Sequence, residues 1–253
     1  MKRLVIKVGT AVLTENNEIA KERMLNLVSF VAELRKTYDV ILVSSGAVAA
    51  GYSALKLDKR KQIGKKALAA AGQPILMSGY KNKFDIYDID TAQILLTEDD
   101  FDSRKRTLMF QEIINAHLAN DILPIVNEND ITSTPEQLFG DNDQLSANVA
   151  YAIDAEKLVI LSDIDGYFDK NPKEHEDAML RKKVTLLTPG ELLDEASPNA
   201  FFATGGIVTK LKAADFLMKR GKEMFLCNGF DLSAARSFLL DGIQTEGTLF
   251  TTE

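Results

Sequence analysis

The chain has 253 residues, of which 45% are hydrophobic and 26% charged, so it is long enough to bury a sizeable core. Its formal net charge of −7 disfavours a general nucleic-acid-binding or membrane-binding surface, and no apolar window approaches the length of a membrane span. The single cysteine, Cys227, excludes an intrachain disulfide and fits a reducing cytoplasm, and the two distant histidines form no metal-ligand pattern.

The first half of the chain alternates apolar runs with amphipathic segments. Apolar runs bounded by turn residues predict buried strands at 4–8, 40–43, 90–96 and 122–126. Between them, apolar residues at a 3.6-residue period predict helices at 20–36, 59–80 and 107–118. Pro74 predicts a break or kink in the second of these helices, because proline cannot donate the helical hydrogen bond.

The second half continues the alternation of strands and helices. One helix is predicted to begin after residue 142 and another to end at Met218, with strands at 158–161, 225–227 and 248–250. The interval 167–191 contains two prolines and mixed charge, which predicts loop and hairpin at the surface. Strands that alternate with helices favour a doubly wound α/β domain with its site along one sheet edge. Because no repeat or composition break divides the chain, residues 1–253 are interpreted as one domain of two lobes at most.

Three polar residues follow Gly140 directly, namely Asp141, Asn142 and Asp143. Asp and Asn are common helix N-caps, so the simpler interpretation is a capped helix that begins here. One cap needs only one acceptor, however, and three polar side chains exceed that need. A buried cluster of this kind requires cationic partners or a cationic ligand, and lysines at other loop positions are the candidates.

Lys7 interrupts the first predicted strand near its carboxyl end. Its ammonium group either reaches solvent along the strand or points into the crevice at the carboxyl edge of the sheet, where open α/β folds bind ligands. The four polar residues 127–130 at the end of another strand allow the same two interpretations, a solvated turn or part of a site.

Two glycine-containing turns carry backbone N–H groups that suit a carboxylate or a phosphate. Ser45 and Gly46 open a helix of small residues, and Gly205 and Gly206 precede a helix that carries Lys210 near its start. Close helix packing and an ordinary glycine turn are the respective alternatives. Neither the GxGxxG pattern nor the Walker patterns GxxxxGKS and GxxxxGKT occur, so a bound nucleotide would need another cradle.

Seven short segments, taken together, resemble the amino acid kinases. They are KVGT at 7–10, SSGAVAAG at 44–51, IVNEND at 125–130, FGDNDQLSANVA at 139–150, LSDIDG at 161–166, ATGGIVTKLKAA at 203–214 and GTLF at 247–250. The segments follow the family's order, and the resemblance implies an α/β/α sandwich around a mainly parallel open sheet. It also implies an acceptor-binding lobe at about 1–150, an ATP-binding lobe at about 151–253, and Mg²⁺ between them.

Within that family, the segments at 125–130 and 139–150 are most similar to members that act on glutamate. The resemblance therefore implies ATP-dependent phosphorylation of the L-glutamate γ-carboxylate to γ-glutamyl phosphate, the first step toward proline. It further implies a cytoplasmic homo-oligomer of two or four chains that binds L-glutamate and ATP and uses Mg²⁺. The alternatives are a kinase for another acid, such as N-acetylglutamate, aspartate or carbamate, and a non-catalytic sensor of amino acids or nucleotides.

Matched motif positions imply roles for individual residues. Lys7 and Lys210 would contact the transferring phosphoryl group, and Asp143 would orient both lysines. The residues implied to hold the acceptor are Ser45, Gly46, Asp130, Asp141 and Asn142. Those implied to hold the nucleotide are Lys7, Gly9, Ser162, Asp163, Thr204, Gly205, Gly206, Thr209 and Lys210. No side chain is implied as a ligand to the metal.

Three features depart from the family's pattern. Family members often carry a C-terminal RNA-binding-like module after GTLF, so the resemblance implies a kinase domain alone. The hairpin at 166–172 reads GYFDKNP where relatives often have GLYTADP, which prevents the transfer of adenine contacts. Ala203 and Val208 stand where the family pattern has glycine and serine.

Overall fold

An eight-stranded, mainly parallel sheet runs through the centre of the protein. The computed structural model describes residues 1–58, 60–133, 142–172, 174–193 and 206–252. The strands are β1 (Lys2–Val8), β2 (Thr14–Glu15), β3 (Glu18–Ile19), β4 (Tyr38–Ser44), β5 (Thr91–Leu96), β6 (Leu123–Glu128), β7 (Lys157–Ser162), β8 (Lys183–Val184), β9 (Glu223–Asn228) and β10 (Thr248–Phe250). The sheet order is β5-β6-β4-β1-β7-β9-β10-β8, and only the β9–β10 pair is antiparallel, while β2 and β3 form a separate hairpin.

Helices cover both faces of this sheet. They are α1 (Thr10–Leu13), α2 (Lys21–Leu34), α3 (Ala47–Leu55), α4 (Gln62–Phe84), α5 (Asp99–Asp102), α6 (Arg104–Ala119), α7 (Asn142–Ala152), α8 (Gly206–Met218) and α9 (Ser233–Arg236). Along β1, Leu4 and Ile6 pack in a core with α2, α3 and α4, whereas Val5 packs on the other face with α6, α7 and α8. The predicted α/β/α sandwich is therefore confirmed. Among the described residues, no helix combines the length and apolar character that a bilayer crossing requires.

Of the break or kink predicted at Pro74, the break does not occur. The helix α4 continues through Pro74 from Gln62 to Phe84. Pro74 lies on the exposed side of α4, so water can reach the carbonyl group that loses its helical donor. Tertiary packing of the buried face, including Leu76 and Tyr80, favours the helix on the far side of the proline.

The interval 167–191 contains the predicted hairpin, in which Phe168 and Leu180 form an antiparallel bridge, but its predicted confinement to the surface is wrong. The side chain of Tyr167 is buried, its ring stacks on Phe250 with centroids 6.3 Å apart, and its hydroxyl donates to Glu191 Oε1 at 2.8 Å. The short strand β8 within this interval joins the sheet edge beside β10. The charged residues around Tyr167 hide this burial in the sequence, because hydrophobic periodicity is the main signal for a core position.

The carboxyl ends of β1, β4, β6 and β7 meet at one edge of the sheet. In the parallel register, Val8 lies beside Ser44 on one side and Leu161 on the other, and Val43 lies beside Val126. The polar residues that end or follow these strands are therefore brought together from distant parts of the sequence. This edge is where open α/β folds bind their ligands.

The helices α3 and α4 cross at a contact between glycines. A Cβ atom built on Gly72 would lie 1.8 Å from the carbonyl oxygen of Ala47, and one built on Gly51 would lie 1.9 Å from that of Leu68. Backbone oxygens of packed helices cannot move away as a flexible side chain can, so glycine is required at both positions. The two helix axes are thereby held close together beside the carboxyl edge of the sheet.

We expect Gly72→Ala to destabilise the protein by about 1–3 kcal/mol, because the added methyl group overlaps backbone atoms. Thermal unfolding followed by circular dichroism should then show a melting temperature lower by roughly 2–12 °C. Gly79→Ala in the same helix is the matched control, since its Cβ would meet only the flexible Met24 side chain, with Sδ at 3.3 Å and Cε at 3.7 Å. Equal melting temperatures for the two variants would contradict the role of Gly72 in this crossing.

Candidate active site

Asp143 lies between two buried lysines. Its Oδ1 atom is 2.5 Å from Lys7 Nζ, and its Oδ2 atom is 3.0 Å from Lys210 Nζ. Thr209 Oγ1 also donates to Oδ2 at 3.0 Å. The exposed fractions are 2% for Lys7, 0% for Asp143 and 5% for Lys210. The alternative in which Lys7 reaches bulk solvent is therefore excluded, and the three residues implied as catalytic form one cluster.

Three separate elements position this cluster. Lys7 lies on the same face of β1 as Val5, which packs toward α7 and α8, and Asp143 lies in the first turn of α7. Lys210 lies in the first turns of α8, where its Nζ atom also donates to the carbonyl oxygen of Gly206 at 2.8 Å. Buried charges are costly unless they are paired, so one carboxylate between two ammonium groups offsets the cost of their burial and orients both lysines.

A buried hydrogen-bond network holds Asn142. Its Nδ2 atom lies 2.9 Å from the carbonyl oxygen of Ser44, 3.0 Å from Ser45 Oγ and 2.9 Å from Asn127 Oδ1. Asn127 in turn donates from Nδ2 to Gln73 Oε1 at 2.9 Å. The network joins the ends of β4 and β6 to α4 and α7, so the side chains on this part of the site are preorganised.

Asp130 follows β6 and is half-buried. Burial raises the pKa of its carboxyl group above the ordinary value, and the positive charges of Lys65 and Lys66 lower it in part. Lys66 Nζ donates to the carbonyl oxygens of Ile131 at 3.0 Å and Ser133 at 2.7 Å, which ties the segment after β6 to α4. A partly dehydrated carboxylate of this kind suits an ammonium group of a ligand.

A cleft of about 410 Å³ opens at this edge of the sheet. The predicted site residues that line it are Lys7, Gly9, Ser45, Gly46, Asp130, Asn142, Ser162, Asp163, Gly206 and Lys210. Asp143 and Thr209 do not line the cleft; Asp143 contacts the two lysines that do, and Thr209 donates to Asp143. The predicted residues Asp141, Thr204 and Gly205 lie outside the part of the chain that the structure describes.

Several polar residues of the cleft were not among the predicted site residues. They are Thr10, Lys65, Asn127 and Glu128. Asn127 and Glu128 belong to the polar cluster at the end of β6, so the sequence carried a signal for them, although a solvated turn was the simpler interpretation. Lys65 gives no local signal, because a lysine in the first turns of a helix is usually a solvated surface residue.

The residues implied to hold the nucleotide surround the ends of β1 and β7 and the start of α8. The backbone N–H of Gly9 donates to the carbonyl oxygen of Leu161 at 3.0 Å, and Ser162 Oγ donates to Asp163 Oδ1 at 3.1 Å. Among the described residues, no atom lies within 4 Å of a Cβ atom built on Gly206, the first residue of α8. Helix N-termini of this kind favour phosphate oxygens.

The donor atoms of the cleft indicate how Mg²⁺ would be held. Among the described residues, no group of three or more His, Cys, Asp or Glu side chains is placed to hold a metal ion. Asp143 is engaged by two lysines, whereas Asp163 is exposed at the rim. Mg²⁺ commonly uses one or two carboxylates and substrate phosphates, so this donor set fits a cation that arrives bound to a nucleotide.

A mainly parallel sheet with paired buried lysines in a cleft at its carboxyl edge defines a phosphate-transferring α/β enzyme. The chain matches the model of the amino acid kinase family over residues 2–228, and it belongs to that family. It is 58% identical to the glutamate 5-kinase of Wolinella succinogenes over 99% of this chain and 98% of the relative. It is also 50% identical to the glutamate 5-kinase of Leishmania donovani over 99% of this chain and 95% of the relative.

The solved structures add support for the fold. Carbamate kinase from Giardia lamblia bound to AMP-PNP superposes with a TM-score of 0.69, covering 99% of this chain and 98% of that one. The identity is 16%, so this similarity concerns the fold alone.

Proposed function

We propose that the protein transfers the γ-phosphoryl group of ATP to the side-chain carboxylate of L-glutamate, forming γ-glutamyl phosphate and ADP, the first step toward proline. The observation that carries the proposal is the Lys7–Asp143–Lys210 cluster, which places two ammonium groups at one cleft in a chain closely similar to glutamate 5-kinases. Within this proposal, residues up to about 150 bind the acceptor and later residues bind ATP.

The reaction needs charge neutralisation more than proton transfer. A glutamate side chain has a reference pKa of about 4.3, so the attacking carboxylate is ionised at neutral pH and requires no general base. A carboxylate oxygen attacks the γ-phosphorus, the bond from that phosphorus to the bridging oxygen breaks, and ADP leaves with the electron pair. Lys7 and Lys210 offset the repulsion between the two anions, and Asp143 keeps both ammonium groups aimed at the cleft.

The other residues bind and orient the reactants. Ser45, Gly46 and Asn142 are proposed to bind the acceptor, and the network through Asn127 holds the polar groups of Ser45 and Asn142. Asp130 takes the α-ammonium group of glutamate, and Asp141 is proposed to contribute to acceptor binding. The nucleotide phosphates lie against Gly9, Ser162, Asp163 and the segment 204–210, including Thr204, Gly205, Gly206 and Thr209.

The proposal includes Mg²⁺, held by ATP phosphate oxygens because the described residues offer no carboxylate cage. Bound with ATP, the ion would neutralise part of the phosphate charge. The proposal also places the protein in the cytoplasm as a homo-oligomer of two or four chains. Light scattering would measure the mass of the particle in solution, and a mass of one chain would contradict the oligomer.

An acceptor panel tests the substrate. With ATP, Mg²⁺ and hydroxylamine, we expect L-glutamate to give the γ-hydroxamate. N-acetyl-L-glutamate should react with a kcat/KM about 10- to 150-fold lower, because the lost ammonium group removes a charged hydrogen bond worth roughly 1.5–3 kcal/mol. L-aspartate and carbamate complete the panel, and ADP release without acceptor is the control. A clear preference for one of the other acids would falsify the glutamate assignment.

A non-catalytic sensor is the remaining alternative. A sensor would bind glutamate or ATP in calorimetry without forming ADP or hydroxamate. The complete Lys7, Asp143 and Lys210 cluster favours the enzyme, since a sensor has no need of two buried lysines directed at one carboxylate.

A further inference from the structure

Lys65 is a cation of the cleft that phosphoryl transfer itself does not use. It lies in the first turns of α4, is exposed, and lines the same cleft as Asp130 and Lys7. Lys7 and Lys210 are both closed onto Asp143, whereas no ion pair or hydrogen bond from the Lys65 ammonium group occurs among the described residues. Lys66, the next residue, is engaged by the carbonyl oxygens of Ile131 and Ser133.

Lys65 and Asp130 together place opposite charges at one end of the cleft. The charge of Lys65 acts on the Asp130 carboxyl group and lowers its pKa, against the larger effect of burial, yet the two groups do not form an ion pair. A carboxylate and an ammonium group that line one cavity without contacting each other leave space for a ligand between them. The α-ammonium and α-carboxylate of an amino acid carry the complementary charges at adjacent positions.

The packing of α4 fixes where Lys65 can reach. Lys65, Ala69 and Gly72 are spaced at i, i+4 and i+7 and therefore share one face of α4. Gly72 on that face contacts the backbone of α3 so closely that no side chain fits between the helices. Because the first turn of α3 also lines the cleft, the long side chain of Lys65 is directed to the acceptor side.

We propose that the Lys65 ammonium group binds the α-carboxylate of the acceptor, so that Lys65 and Asp130 together select a free amino acid end. The inference deepens the proposed function and rests on it. Lys65 would determine specificity and acceptor affinity, and Lys7 and Lys210 would still carry the phosphoryl transfer.

The test compares L-glutamate with L-glutamic acid α-amide, in which a neutral amide replaces the α-carboxylate and the γ-carboxylate is unchanged. We expect the unmodified protein to prefer L-glutamate by about 10- to 100-fold in kcat/KM for hydroxamate formation, as for a hydrogen bond between charged groups. In Lys65→Met this preference should disappear through a higher KM for glutamate, with kcat changed less than about twofold, since binding alone is affected. Lys65→Arg, which keeps the charge, should retain much of the preference.

Lys61→Met is the matched control, because Lys61 precedes α4, is exposed and does not line the cleft. It removes the same charge and should leave the preference intact. Equal losses on both acceptors in Lys65→Met, with an unchanged melting temperature, would overturn the inference alone, as would an unmodified protein that does not distinguish the two acceptors. If the unmodified protein phosphorylates neither compound but does phosphorylate another acid, the proposed function fails as well.

Discussion

Lys210→Ala should lower kcat by about a thousandfold while glutamate binding stays measurable. A unit charge at 4 Å is worth on the order of 4 kcal/mol at an effective dielectric constant near 20, and each 1.36 kcal/mol changes the rate tenfold. The Lys210 ammonium group lies at the cleft and is held by Asp143 and the Gly206 carbonyl, so its charge is preorganised for the transferring phosphoryl group. ADP release would measure turnover, and calorimetry would measure glutamate binding.

Lys212→Ala provides the matched control, because Lys212 lies on the same helix but is exposed. It removes the same charge and should leave kcat nearly unchanged. Loss of the folded circular dichroism spectrum in Lys210→Ala would explain its inactivity without a catalytic role, so the spectrum must be recorded. A folded Lys210→Ala protein with unchanged turnover would contradict the proposed role of Lys210.

Asp143→Asn should both destabilise the protein and abolish most of its activity. The side chain keeps its shape, but the Lys7 and Lys210 ammonium groups would then face each other while buried and without the negative charge of Asp143 between them. Removing one partner of a buried ion pair costs about 3–5 kcal/mol. For a chain of this length that corresponds to a melting temperature lower by roughly 6–20 °C. We expect ATP to restore part of that loss, because its phosphates supply negative charge to the same lysines.

Asp215→Asn serves as the control for Asp143→Asn, since Asp215 forms an exposed ion pair with Lys219 on the surface of α8. Surface pairs of this kind contribute about 0–1 kcal/mol, so its melting temperature should change little. The interpretation of Asp143 fails if Asp143→Asn melts at the temperature of the unmodified protein and keeps normal turnover. It also fails if both substitutions reduce stability equally.

The sequence was most informative about elements whose pattern is local. The continuous apolar run around Val5 and the helical period through Leu27 and Val31 each indicate burial over a few residues, so these elements were predicted with their correct type. The excess of polar groups at Asn142 and Asp143 pointed to cationic partners, and the structure supplies Lys7 and Lys210. Roles of these residues in turnover stay predictions until the substitutions are made.

Other features could not be predicted from the sequence, because they depend on contacts between distant segments. Pro74 should disrupt an isolated helix, yet the packed face of α4 maintains the helix through it. Tyr167 stands among charged residues, yet it is buried against Phe250. Lys65 resembles any surface lysine until the α3–α4 crossing brings it to the cleft.

The sequence by itself determined the main alternation of strands and helices, the α/β class and the segments that end at the sheet edge, because periodicity and turn residues act over short distances. Only the tertiary structure decided which charged side chains meet. The pairing of Lys7 with Asp143 spans 136 positions, and it exists because parallel strands bring their carboxyl ends to one edge. That convergence decides whether a lysine is a solvated surface group or a buried partner of a carboxylate. Burial makes an unpaired charge costly, so a buried lysine must lie beside one specific carboxylate.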